Sequence, residues 1–182
     1  MSDTQVQVEA RPGVTAAEAH GPRARAGSEG AAPEVAHRPA AGRWLWLGLH
    51  GGAGVTTLAQ AVPGGVDVGG LHGKPPNLPV VAVCRSHAGG LAAAQEWAAE
   101  WSGRQPYREV LGLVIVADAP GPLPRGLKLG VRLVRGGFRD LWAVPWVPAW
   151  RVGQSVPLDD LPAAVRRLAN DLVAKTAREG GK

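Results

Sequence analysis

The sequence predicts an α/β fold, a small three-layer α/β/α domain with a mainly parallel sheet behind a disordered N-terminal tail. Two observations lead there. From Arg43 onward strand-like and helix-like segments alternate, and alternation of that kind is met by a parallel sheet covered with helices. Before it, residues 1 to 41 are rich in Ala, Gly, Pro, Glu and Arg, with no aromatic residue and no apolar period, so they cannot bury a core.

The elements follow in order. Trp44 to Leu49 is a compact apolar run stopped by glycines, and Thr56 to Ala61 is a short helix opening on hydroxyls. Val62 to Pro79 is rich in Gly and Pro and leaves room only for a short strand around Val66, Asp67 and Val68. Val80 to Cys84 is a β-branched strand, and Gly90 to Trp101 a helix with Leu91, Ala94, Trp97, Ala98 and Trp101 on one side. Leu111 to Ala117 is the strongest strand of the chain, closed by the turn Asp118-Ala119-Pro120-Gly121. Leu127 to Val134 fits helix and strand equally. Leu141 to Val147 is a Trp-rich strand ending in prolines, and Leu161 to Ala177 is the final helix. The expected organisation is a tail over 1–41, one domain over 42–178 and a flexible C-terminus over 179–182.

Composition narrows the function classes. A chain of 182 residues suits one domain plus a tail. Cys84 stands alone, which excludes a disulfide framework and a cysteine metal site. No run approaches about 18 uninterrupted apolar residues and no leader pattern opens the chain, so a cytoplasmic protein without a membrane span is expected. The chain carries +5 overall; its tail has a net of −1, leaving +6 for the rest. A basic folded part suits nucleic acid, a nucleotide or an anionic surface, although a GC-rich genome raises arginine content without any such role.

One motif stands out. His50-Gly51-Gly52-Ala53-Gly54-Val55-Thr56-Thr57 has the outline of a phosphate-binding loop, with glycines whose amides can converge on an anion and hydroxyls at the start of a helix. It lacks the lysine that such a loop places before the hydroxyl, where Val55 stands. The stretch resembles the deviant Walker loop of the ParA/MinD class of P-loop ATPases, and the order of later segments is similar over residues 43 to 177. The chain as a whole also resembles an uncharacterised actinobacterial group of such degenerate proteins. The resemblance implies a truncated P-loop NTPase-like domain, with ATP or another nucleotide and magnesium as the cofactors of its site.

The departures count against catalysis. His50 and Val55 replace the two lysines of the family pattern, and Val62 to Val80 leaves no room for the strand that ends in the magnesium aspartate. Phosphoryl transfer depends on a metal and fixed positive charge, so hydrolysis is not expected and no metal ligand is assigned. The candidate phosphate-site residues are His50 to Thr57 with Arg85 and Asp118. His50 either replaces a lysine when protonated or bonds backbone. Arg85 either meets phosphate or pairs with Asp118, and Asp118 either meets a base or ribose or caps its own turn. Asp67, the acid nearest the loop in sequence, either holds a metal through water or is a solvated turn residue, the second being preferred.

Arg125, Lys128, Arg132, Arg135 and Arg139 recur at steps of three and four, a basic stripe if the segment is helical. The plain alternative is a solvated face opposite Leu127, Val131, Val134 and Phe138. Trp142, Trp146 and Trp150 surround Pro145 and Pro148 and serve as core plugs, pocket walls or a partner surface. The expected function is a non-hydrolysing binding or assembly component, with a homodimer or a protein partner. A weak nucleotide switch or residual NTPase is one alternative. A DNA-associated accessory protein of plasmid or conjugative-element maintenance is the other.

Overall fold

The computed structural model describes residues 43–67, 77–101 and 109–179. The expected tail over 1–41, Val68, the side chain of Trp101 and residues 180–182 lie outside them.

Five strands form one sheet in the order β2-β1-β3-β4-β5, with every neighbouring pair parallel. They are β1 (Trp44–Gly48), β2 (Gly65–Asp67), β3 (Val80–Arg85), β4 (Val110–Val116) and β5 (Leu141–Val144). The helices are α1 (Val55–Ala61), α2 (Ala88–Trp101), α3 (Arg125–Arg135), the single turn α4 (Pro148–Arg151) and α5 (Ala163–Glu179). The expected α/β architecture is therefore present, and its core explains the layers. Trp44, Trp46, Val81, Val83, Val114 and Val144 face one side, where Leu58 of α1 and Val165, Leu168 and Leu172 of α5 cover them. Ala82, Cys84, Leu113 and Ile115 face the other, under Leu91 and Ala94 of α2 and Val134 of α3. Each fully buried leucine contributes about 1.5–3 kcal/mol of transfer free energy, so both helix layers are needed to close the sheet.

Three local readings change. Leu127 to Val134 lies wholly in a helix, because α3 packs closely on α2: a Cβ on Gly130 would lie 3.0 Å from Leu91 Cδ1. β5 stops at Val144, since Pro145 has no amide to extend the ladder, and the chain turns into α4. The third change concerns β2. Its three residues pair with β1 in the register Trp44↔Gly65 to Trp46↔Asp67, so the short strand expected around Val66 and Asp67 is present, and what changes is that it ends on an aspartate, which the sequence reading left no room for.

Parallel strands bring their carboxyl ends to one edge. There α1 follows β1 onto one face of the sheet and α2 follows β3 onto the opposite face, although β1 and β3 are neighbours. A crevice opens where consecutive connections diverge in this way, the place where open α/β sheets hold their ligands.

Candidate functional site

The crevice is built from the glycine loop outward. β1 ends at Gly48 and α1 begins at Val55, with Gly54 capping the helix at φ 101° and Gly52 at φ 75°. Both angles lie where an L side chain is strained, so the loop's course depends on these glycines. The first amides of a helix have no partner within it, and α1 begins directly at this loop. A cleft of about 630 Å³ is lined by Gly48 to Thr57, Asp67 and Arg85.

Arg85, the last residue of β3, organises this cleft. Its Nε donates to the Gly52 carbonyl (3.2 Å) and its Nη1 to the Ala117 carbonyl (3.1 Å), which ties the loop to the end of β4. Nη2 lies 3.7 Å from where a Cβ on Gly54 would stand, so the guanidinium lies against the loop. It does not pair with Asp118, as one sequence reading had it.

His50 occupies the lysine position of the family pattern, and its hydrogen bonds fix its role. The Arg85 backbone N–H donates to His50 Nε2 (2.9 Å), which makes Nε2 the acceptor and leaves Nδ1–H to donate to the Gly51 carbonyl (2.9 Å). Both ring nitrogens are engaged with backbone, and the ring joins the loop after β1 to the end of β3. Gly90 in α2 sits beneath this joint, where a Cβ would collide with the Arg85 carbonyl and stand 2.9 Å from His50 Nε2. His87 packs its ring 5.1 Å from that of His50 and accepts the Gly90 amide at Nδ1 (3.0 Å).

Val55, at the second lysine position, packs inward, with Cγ2 3.1 Å from a Cβ placed on Gly48. Thr56 points the other way. Its Oγ1 donates to Asp67 Oδ2 at 2.7 Å, which joins the first turn of α1 to the end of β2. Asp67 is thus a half-buried site residue at a strand end and not a solvated turn aspartate. Its sequence signal was one apolar residue, Val66, in a run of glycines and prolines.

The remaining expected residues divide between two other places. Thr57, Gly54 and Arg85 also wall a smaller crevice of about 100 Å³, completed by Trp146 and Trp150, for which pocket walls were one sequence expectation, and by Arg151, which the sequence did not single out. Asp118 stands apart. Its amide donates to the buried Ser86 Oγ (3.0 Å), while its exposed carboxylate rims an apolar groove of about 500 Å³ between the proline-rich loop, β5 and α3. Arg125, Lys128, Arg132 and Arg135 are exposed along α3. Arg139 leaves the stripe, because α3 ends at Arg135, and it pairs with Glu109 at 3.5 Å.

No group of three or more His, Cys, Asp or Glu side chains among the described residues is placed to hold a metal ion. Burial pushes the Cys84 thiol up to about 12, so it is inert as a nucleophile at neutral pH.

A family model matches residues 41–168, a span that takes in the glycine loop, Asp67, Arg85 and α3 and stops within α5. The chain belongs to DUF6668, a family of unknown function. Membership in DUF6668 assigns no activity. No match is found among curated proteins or among solved structures.

Proposed function

We propose that this domain is a non-hydrolysing binding module for a phosphorylated ligand of nucleotide size, held in the cleft at the ends of β1 and β3. The observation that carries the reading is Arg85. Its guanidinium is bonded at Nε and Nη1 to the Gly52 and Ala117 carbonyls and lies against a loop that has no lysine of its own. A cation held in place loses little freedom on meeting an anion, and a guanidinium matches phosphate oxygens with paired donors. The crevice beside Trp146 and Trp150 gives a flat apolar group somewhere to lie.

Magnesium fits the residues present to a limited degree. Thr56 Oγ1 and Asp67 Oδ2 form a hard oxygen pair 2.7 Å apart, the donor type that magnesium takes alongside phosphate oxygens. Bound there, the ion would neutralise phosphate charge. Turnover is not expected, because Val55 turns into the core and both nitrogens of His50 are committed to backbone. The resemblance of the loop to the ParA/MinD class supports the same ligand class, and an assembly role governed by ligand occupancy would suit a binding module without catalysis.

The test is thermal unfolding with ATP, ADP, GTP and GDP, each with magnesium, and with pyrophosphate as the minimal probe. Ligand at about one hundred times its Kd stabilises by about 2.7 kcal/mol, which raises the melting temperature by several degrees. Thr56→Ala is expected to weaken the magnesium-dependent part of the rise. Absence of a rise with every probe would overturn the reading, and release of phosphate above the protein-free rate would overturn its non-hydrolysing part.

A further inference from the structure

The outer face of α3 combines two features that a merely solvated helix does not need together. Its eleven residues, Arg-Gly-Leu-Lys-Leu-Gly-Val-Arg-Leu-Val-Arg, include four cations and no acid. Among the described residues these four cations make no ion pair; the two ion pairs present are Arg139 with Glu109 and Lys175 with Asp140. Leu127, Val131 and Val134 pack toward α2 and the sheet, yet Leu129 and Leu133 remain 59% and 61% exposed. At helical spacing these two leucines are neighbours on one side, and Leu129 lies between Arg125 and Arg132, four residues from the first and three from the second. Large aliphatic side chains are thus held in water within a field of positive charge.

We propose that this face docks the domain on an anionic lipid bilayer. The inference does not depend on the ligand reading of the cleft. Charge complementarity requires a polyanionic occupant, and the leucines select among polyanions. A nucleic-acid backbone meets cations but gives an aliphatic side chain nothing to enter, whereas a bilayer places hydrocarbon just beneath its anionic headgroups. A stable protein partner needs about 800 Å² on each side, and two leucines on an 11-residue helix are a small apolar centre for such an interface. They suffice for a shallow peripheral contact, in which each cation near an anionic surface raises partition about fivefold. No helix among the described residues is long and apolar enough to cross a membrane, so the contact rests on the surface.

The experiment is co-sedimentation of the full chain with phosphatidylcholine vesicles, with and without phosphatidylglycerol, beside retention on heparin as a soluble polyanion. Binding is expected only to the vesicles containing phosphatidylglycerol. The double variant Leu129→Gln/Leu133→Gln is expected to lower that partition on the order of tenfold while leaving heparin retention unchanged. Arg125→Gln/Arg132→Gln is expected to lower both. All four side chains are exposed, so melting temperatures confirm that the variants fold. No binding to phosphatidylglycerol vesicles would overturn the proposal. So would vesicle binding that survives the leucine changes, which would make the face a general polyanion surface suited to nucleic acid.

Discussion

Two sets of cations occupy this domain in opposite ways. Arg85 is half-buried at the sheet edge with two guanidinium nitrogens bonded to carbonyls, whereas Arg125, Lys128, Arg132 and Arg135 stand exposed along α3 without an ion pair among the described residues. A fixed cation is a device for geometry: it recognises an anion only where the surrounding loop places it. Loose cations act together through their summed field and are weakened by salt. The same residue type therefore supports a discrete ligand site at one end of the fold and a broad contact surface on another face.

The contrast breaks most visibly at Arg85. Arg85→Ala is expected to cost about 2–3 kcal/mol in urea unfolding, because two carbonyls lose a charged donor and the loop loses its tie to β4. Next in size is Gly90→Ala, expected to cost about 1–2 kcal/mol, since its Cβ would press on the Arg85 carbonyl and His50 Nε2. Helix propensity alone would make that change favourable, so a gain in stability would show that the joint is looser than described. Thr56→Val keeps the shape of the side chain and removes its hydroxyl. It is expected to cost about 0.5–1 kcal/mol and to weaken the magnesium dependence of ligand binding, read by thermal shift with and without the ion. Arg132→Ala stands at the small end, within about 0.5 kcal/mol of the parent, because the side chain is exposed and makes no ion pair.

Much of the fold was legible because its signals are local. The β-branched run of β3, the apolar run of β4 and the glycine loop between β1 and α1 all stand where the sequence places them. β2 was legible only as a short strand around Val66 and Asp67, because Gly65–Asp67 has little strand character of its own and is extended by pairing with β1. Asp67 was read as a turn residue for the same reason, and its bond to Thr56 was not foreseen. α3 was ambiguous for a related reason: Leu127, Leu129, Val131 and Leu133 alternate as a strand would. The structure shows that this pattern mixes an inner face, Leu127 and Val131, with two leucines left outside. The partners of Arg85 could not be read at all, since they are backbone carbonyls brought close by the sheet. Side-chain-to-backbone bonds across 32 and 33 residues leave no trace in composition or spacing.

The most direct test of the fixed-cation site is an amide chemical-shift titration of the 15N-labelled domain with magnesium ADP. Saturable shifts are expected at Gly51 to Thr57, Asp67 and Arg85, with the amides of α3 unmoved. Shifts confined to α3, or none at millimolar ligand, would contradict a ligand site at the ends of β1 and β3.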